Sequence, residues 1–139
     1  MNILITGANG QLGNEMKVLS AENTQHTYFF TDVQELDICN EEAIEAFVAE
    51  NEIELIVNCA AYTAVDNAED NRELCDKLNH IAPGYLARAA QRRGAAIIQV
   101  STDYVFDGTA HIPYTEEEPT CPASVYGSTK LAGEQAVMD

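Results

Sequence analysis

The chain opens with an apolar pentapeptide, NILIT, that runs directly into three evenly spaced glycines in the segment GANGQLG. This order predicts a buried strand over Asn2–Thr6, a tight turn and a helix that reaches about Ser20. Gly7 would allow the tight turn, Gly10 would let the backbone approach a pyrophosphate, and Gly13 would let helix and strand pack closely. The free amides at the start of that helix favour an anion. The segment therefore predicts a dinucleotide site, with a purely structural glycine turn as the alternative.

Strand-like and helix-like patterns alternate through the rest of the chain. Apolar runs predict three more strands, at residues 27–31, 55–59 and 95–101. Helical patterns begin at Asn40, cover residues 69–93 and begin again near Ser124, and residues 107–122 have the prolines and glycine of a loop. This alternation predicts a parallel sheet covered on both faces, the doubly wound α/β class, in one domain over residues 1–139.

The long helical segment has two further features. Leu74, Leu78 and Ile81 share one face of an α-helix. Pro83 lies inside the segment, and we expect it to kink or divide the helix because proline has no N–H and its ring clashes with the preceding turn.

Composition disfavours several classes of protein. Hydrophobic residues make up 46% and charged residues 22% of the chain, with no apolar run of about 18 residues and no basic, signal-like N-terminus. We therefore expect a cytoplasmic protein without a membrane partner. The net charge of −16 disfavours a nucleic acid partner. Neither a disulfide framework nor a metal site is predicted, because the cysteines and histidines lack the spacing of either. They are Cys39, Cys59, Cys75, Cys121, His26, His80 and His111.

Asp32 ends the second predicted strand, 19 residues after Gly13. A carboxylate at this place can accept both hydroxyl groups of an adenosine ribose and would repel a 2′-phosphate. No lysine or arginine is next to Asp32 in the sequence. Asp32 alone therefore favours NADH over NADPH.

Tyr126 and Lys130 are four residues apart at the start of the last predicted helix, so their side chains lie on one face. A free tyrosine has a pKa near 10, which is too high for efficient acid catalysis at neutral pH. A neighbouring ammonium group lowers that pKa by favouring the phenolate. We expect Tyr126 to donate a proton and Lys130 to assist it and to hold the nicotinamide ribose. The alternative is a surface lysine beside a half-buried tyrosine.

A hydroxyl group at the end of the fourth strand would complete this site. The carboxyl ends of parallel strands form the ligand-binding edge of a doubly wound sheet. Thr102 is the favoured residue, because it could bind a substrate carbonyl and the Tyr126 hydroxyl. Ser101, from the same STDYVFDG segment, is the competing candidate.

The glycine spacing GxxGxxG is typical of the extended short-chain dehydrogenase/reductase family. Four segments of this chain together resemble that family, namely MNILITGANGQLG, VNCAAYTAVDNAE, STDYVFDG and VYGSTKLAGE. The resemblance covers the whole chain. It implies a Rossmann-like fold that binds NADPH or NADH and reduces the C4 keto group of a dTDP-sugar, dTDP-4-dehydro-L-rhamnose, to the alcohol. It also implies that Tyr126 is the proton donor, that Lys130 modulates it and that Thr102 is the third catalytic residue, with Asp103 and Tyr104 near the sugar.

The resemblance further implies the contacts of the cofactor. Gln11 and Leu12 would follow the glycines at the pyrophosphate. Asp37 and Ile38 would touch the adenine, unless Asp37 merely leads into the helix at Asn40. The small segment after the third strand would line the ribose and pyrophosphate, with plain packing as the alternative; it comprises Ala60, Ala61, Tyr62 and Thr63.

Other properties remain open at the level of the sequence. Some family members bind magnesium and form homodimers, with an acidic residue at the position of Glu15, and we predict neither here. Family members continue into a second region that holds the nucleotide-sugar, so we expect the 139 residues to form an incomplete domain that is poorly active alone. The alternatives are a catalytically silent NAD(P)-binding regulatory module and another nucleotide-sugar epimerase or dehydratase.

Overall fold

The computed structural model describes every residue from Met1 to Asp139. Its centre is one sheet of four parallel strands in the order β2-β1-β3-β4. The strands are β1 (Asn2–Thr6), β2 (Thr27–Phe30), β3 (Leu55–Asn58) and β4 (Ala96–Gln99). Ile5 of β1 is in register with Phe30 on one side and with Val57 on the other. The predicted doubly wound class is confirmed, and the strand order reverses between β1 and β3.

Six α-helices and two short helical turns connect and cover the strands. The α-helices are α1 (Gln11–Glu22), α2 (Glu41–Glu50), α3 (Val65–Ala68), α4 (Arg72–Asp76), α5 (Ala82–Arg93) and α6 (Val125–Met138). A π turn covers Lys77–Ile81 between α4 and α5, and a 3₁₀ turn covers Asp103–Val105. None of the helices combines the length and the apolarity needed to cross a membrane.

The two faces of the sheet are buried by different helices, as the alternation of side chains along a strand requires. Leu4 of β1 packs with Ile44 of α2 and Leu86 of α5 in the larger core cluster. Ile5 points to the opposite face, where Met16 of α1 packs against the smaller cluster. Both faces are therefore covered, and the carboxyl edge of the sheet stays open for a site.

The segment predicted as one long helix is divided, as expected from Pro83. The amide of Ala82 bonds to the carbonyl of Lys77, five residues earlier, so the chain makes one wide turn before α5 begins. Pro83 has no N–H for the carbonyl of Asn79, and the π turn directly precedes it.

The buried face of this segment differs from the predicted apolar one. Leu74 and Ile81 are 47% and 36% exposed, whereas Cys75 and Asn79 are buried. A polar residue can occupy the interior here because the carboxamide of Asn79 has hydrogen-bond partners for both of its ends. Leu78 packs at the edge of the larger core cluster.

Candidate active site

The glycine turn has the tight geometry that the sequence predicts. Gly7 has a φ of 63°, and a Cβ atom added there would lie 2.5 Å from the Ala60 amide nitrogen. A Cβ on Gly13 would lie 2.4 Å from the Gly7 carbonyl oxygen. Neither position has room for a side chain, so these glycines fix the close approach of β1, α1 and the segment after β3. Gly10 precedes α1 as its N-cap.

The first turn of α1 offers unpaired donors to a ligand. Asn40 caps α2 by accepting from the Ala43 amide at 3.1 Å, and Ser124 caps α6 by accepting from the Gly127 amide at 3.0 Å. Gly10 has no side chain, and no side-chain bond caps α1. The first amides of this helix are thus available to an anion such as a pyrophosphate, which the helix dipole also favours.

A cleft of about 530 Å³ lies at the carboxyl edge of the sheet, beside the uncapped helix start. It brings together residues from the glycine turn, from the end of β3, from the end of β4 and from α6. Eight of its lining residues were predicted from the sequence: Gly10, Gln11, Leu12, Ala60, Ala61, Thr63, Tyr126 and Lys130. Glu15 and Ser101 also line it, together with Asn58, Cys59 and Val100, which the sequence did not single out.

Lys130 reaches the cleft from α6 and is held at the end of β4. Lys130 is only 3% exposed, and its Nζ donates to the Val100 carbonyl oxygen at 2.7 Å. Burial lowers the pKa of Lys130 from its ordinary value, and the nearby Glu134 carboxylate acts in the opposite direction. An ammonium group has three N–H donors, so donors remain for a second ligand.

Tyr126 lies one helical turn before Lys130 and is 8% exposed. Its ring and the Tyr104 ring form a T-shaped pair, with centroids 5.5 Å apart and planes at 79°. No hydrogen bond within the chain engages the Tyr126 hydroxyl group, although the residue lines the cleft. The hydroxyl is therefore free to bond to a ligand.

The two candidate hydroxyl residues after β4 have different surroundings. The Ser101 hydroxyl lines the cleft and donates to the Glu134 carboxylate. Thr102 caps the 3₁₀ turn, since its Oγ1 accepts from the Tyr104 amide at 3.2 Å, and it donates to Asp103 at 3.4 Å. Asp103 and Tyr104 line a second hollow of about 340 Å³. The three residues predicted to bind substrate thus lie together at the 3₁₀ turn, outside the main cleft.

The predicted adenosine residues also lie outside the cleft. Asp32 follows β2 and accepts from the Asn9 amide of the glycine turn at 3.1 Å. Asp37 accepts from the Cys39 amide at 2.9 Å, directly before α2, and the Ile38 side chain is buried in the larger core cluster. These contacts are those of a chain that leads into a helix, so the adenine role of Asp37 and Ile38 stays a prediction.

Asn79 is a positioning residue that the sequence analysis missed. It reaches from the π turn to the segment after β3, where its Oδ1 accepts from the Tyr62 amide at 2.8 Å and its Nδ2 donates to the Tyr62 carbonyl at 3.1 Å. Tyr62 lies between the cleft residues Ala61 and Thr63. Asn79 therefore fixes one wall of the cleft, and a lone asparagine in a helical pattern gives no sign of it.

Two glycines in α6 were also missed. A Cβ on Gly127 would lie 2.3 Å from the Tyr104 carbonyl oxygen, and one on Gly133 would lie 2.0 Å from the Asn79 carbonyl oxygen. Glycine inside a helix costs about 1 kcal/mol relative to alanine, so its presence indicates a packing reason. The two glycines of YGSTKLAGE gave this indication in the sequence. Their lack of side chains lets α6 lie close to the π and 3₁₀ turns.

The thiols and the acidic residues form no further centre. All four cysteines are unpaired, and burial raises the pKa of the Cys59 thiol at the cleft. No group of three or more histidine, cysteine, aspartate or glutamate residues has an arrangement that could hold a metal ion. Glu15 is exposed at the edge of the cleft.

Comparison with known proteins gives close relatives over the whole chain. The chain is 44% identical over 139 residues to the dTDP-4-dehydrorhamnose reductase of Burkholderia thailandensis. Among solved structures it is similar to a dTDP-4-dehydrorhamnose reductase from Clostridium acetobutylicum, with 49% identity and a TM-score of 0.96 over 99% of this chain and 49% of that one. It is also similar to the Bacillus anthracis dTDP-4-dehydrorhamnose reductase in complex with NADP, with 39% identity, a TM-score of 0.94 and the same two coverages.

The match covers all or nearly all of this chain but only part of each relative. All of this chain matches the Burkholderia protein, but the match covers 46% of that protein, so the chain spans about half the length of such relatives. The family model described as the RmlD substrate binding domain matches residues 1–139. The chain therefore belongs to the RmlD substrate-binding-domain family.

Proposed function

We propose that residues 1–139 form the cofactor-binding domain of a reductase that converts dTDP-4-dehydro-L-rhamnose to dTDP-L-rhamnose with NADPH or NADH. One observation carries the proposal: Tyr126 and Lys130 line the same cleft as the glycine turn and the uncapped start of α1. The names of the relatives and the NADP in the Bacillus anthracis structure support the choice of substrate and cofactor.

The residues present fit a nicotinamide dinucleotide. The first amides of α1 suit the pyrophosphate, because no side chain caps them and glycines leave the backbone accessible. Ala60, Ala61 and Thr63 also line the cleft, where small side chains leave room for a flat ring system. The bound cofactor would supply a hydride to the C4 carbon of the sugar.

Tyr126 and Lys130 supply the proton and its control. The Tyr126 hydroxyl would donate its proton to the C4 oxygen as that oxygen gains charge, which completes the change from ketone to alcohol. Lys130 would use its remaining N–H donors to hold ribose hydroxyl groups and would stabilise the phenolate that Tyr126 leaves behind. Its bond to the Val100 carbonyl holds the ammonium group at the end of β4. The Lys130 side chain therefore does not have to become ordered during the reaction.

The residues at the 3₁₀ turn would recognise the sugar. Thr102 is the proposed partner of the C4 oxygen, and Asp103 and Tyr104 flank it at the second hollow. The contact between the Tyr104 and Tyr126 rings links this hollow to the proton donor. Neither a magnesium ion nor a dimer is part of the proposal, and the cytoplasmic location expected from the sequence remains a prediction.

The test is the oxidation of NADPH by the native protein in the presence of dTDP-4-dehydro-L-rhamnose. Tyr126→Phe removes the proton donor and keeps the ring against Tyr104, so we expect kcat to fall at least about 100-fold while NADPH still binds. Wild-type activity in this variant would refute the role of Tyr126.

The same assay separates the alternatives. A silent regulatory module would bind NADPH and show no turnover in the native protein. Residues 1–139 alone are expected to be poorly active, so the comparison is made with the native protein. An epimerase or dehydratase would release tightly held NAD(H) on denaturation and would not consume added NADPH in proportion to substrate.

A further inference from the structure

Lys17 is one of three basic residues that form no salt bridge; the others are Lys130 of the cleft and the exposed Arg93. The sequence has seven basic residues against 23 acidic ones, and four of the basic side chains form salt bridges with carboxylates. Lys17 is half-buried on α1, and its Nζ donates to the side-chain oxygen of Asn9 at 3.2 Å. The ammonium group also lies 5.9 Å from the centre of the Phe30 ring.

Asn9 links this lysine to the predicted adenosine site. Its side chain accepts from Lys17, and its backbone amide donates to Oδ2 of Asp32 at 3.1 Å. The other carboxylate oxygen of Asp32 accepts from the Val33 amide at 2.9 Å. Asp32 lies at the carboxyl end of β2, where this class of fold binds the adenosine ribose. One residue therefore separates an uncompensated ammonium group from the ribose position.

We propose that Lys17 binds the 2′-phosphate of NADPH, so that one site accepts NADH through Asp32 and NADPH through Lys17. The inference rests on the proposed function, which places a nicotinamide dinucleotide in this cleft. A phosphate beside the Asp32 carboxylate is repelled unless a cation compensates it. Lys17 can do so at little cost, because its present partner is an uncharged amide and its stem is flexible.

This lysine escapes a search along the sequence. The chain has no basic residue next to Asp32, which favours NADH when the sequence is considered alone. Lys17 comes from the second turn of α1, and only the packing of α1 against β2 brings its ammonium group near the end of β2, which Asp32 follows. The electrostatic preference of the site is thus set by α1 as well as by the end of β2.

The test compares two substitutions by the binding of NADPH and NADH to the native protein, followed by cofactor fluorescence. Lys17→Gln removes the charge and keeps most of the stem, and we expect the Kd for NADPH to rise at least about tenfold, as a lost charge-assisted bond requires. The Kd for NADH should change less than about twofold. Lys17→Arg, which keeps the charge, should retain most of the NADPH affinity.

A matched control is Arg93→Gln, which removes an exposed basic residue at the end of α5, where the chain turns into the start of β4. It should leave both affinities unchanged, which excludes a general effect of net charge. The pair 2′,5′-ADP and 5′-AMP should show the same contrast as the two cofactors, because they differ only in the 2′-phosphate.

The outcomes separate this inference from the proposed function. If Lys17→Gln weakens NADPH and NADH equally, or neither of them, the role of Lys17 is wrong and the reductase proposal stands. If the wild-type protein binds neither cofactor, the proposed function fails and the inference fails with it.

Discussion

The carboxamide of Asn79 pairs with the backbone of Tyr62 in both directions, accepting from its amide at 2.8 Å and donating to its carbonyl at 3.1 Å. Asn79 is 1% exposed and also donates to the Thr129 hydroxyl at 3.2 Å. It therefore joins the segment after β3, the π turn and α6, and the first and last of these three line the cleft.

Asn79→Ala should lower the free energy of unfolding by about 2–4 kcal/mol, because it leaves two partly buried backbone groups of Tyr62 without their partner and removes a buried bond to Thr129. Denaturant unfolding followed by circular dichroism measures this change. The control is Asn71→Ala, since the exposed Asn71 side chain bonds only to the Asn67 carbonyl. We expect the control to cost less than about 0.5 kcal/mol. Equal costs for the two variants would contradict the joining role of Asn79.

Gly133→Ala should be strongly destabilising, because the added methyl group would lie 2.0 Å from a backbone carbonyl oxygen that cannot move independently. A cost of about 3 kcal/mol or more in unfolding free energy is expected. The matched control is Gly84→Ala in α5, where the methyl group would meet only side-chain atoms at 3.5 Å. Gly84→Ala should stabilise the chain by about 0.5–1 kcal/mol. The prediction fails if both variants have the same sign.

Thr102→Val and Ser101→Ala should have different effects on catalysis. Thr102→Val removes the proposed bond to the C4 oxygen at similar volume, so kcat/KM for the sugar should fall about tenfold or more while the Kd for NADPH is kept. Thr102→Ser keeps a hydroxyl group and should retain activity. Ser101→Ala removes only the bond to Glu134 and should affect the sugar less. A larger loss with Ser101→Ala would assign the catalytic hydroxyl to Ser101.

The buried Lys130 should make stability depend on pH in the alkaline range. Its pKa in the folded chain is below the ordinary value of 10.5, chiefly because of burial. Between these two values the unfolded chain binds more protons, so the free energy of unfolding rises with pH. Below the lowered pKa, both states are protonated and the full cost of the buried charge is present.

Comparison of the wild type with Lys130→Met isolates this effect from other titrating groups. The unfolding free energy of the wild type should rise relative to the variant as pH increases from 7 to about 10.5. Glu134 and Cys75 oppose the shift, so the change should be modest. A difference between wild type and variant that stays constant over this range would show that Lys130 has the same pKa in both states.

Local patterns were sufficient to predict most of the fold. Apolar runs and glycine spacing predicted all four strands, although β4 is shorter than predicted, because Val100 and Ser101 turn toward the cleft instead of pairing. The caps at Asn40 and Ser124 and the break at Pro83 follow from the chemistry of single side chains. Each of these features depends on neighbours within a few residues.

The contacts that could not be predicted join residues far apart in the chain. Asn79 meets Tyr62 across 17 positions, and the exposed Leu74 shows that the apolar face of this segment is not the buried one. Lys17 meets Phe30 only because α1 packs against β2. Contacts of this kind are set by tertiary packing, and the periodicity of hydrophobic residues carries no information about them.

The π turn at Lys77–Ile81 has a consequence for how this chain tolerates changes of length. A π turn holds one residue more than an α turn of the same height, so deleting a single residue there should give one continuous helical segment that Pro83 still kinks, with Leu86 still facing the core. The shortened helix would still fold, but the Asn79 carbonyl would no longer lie against Gly133 of α6. Loss of one residue at this point should therefore leave the helical content intact and open the wall of the cleft.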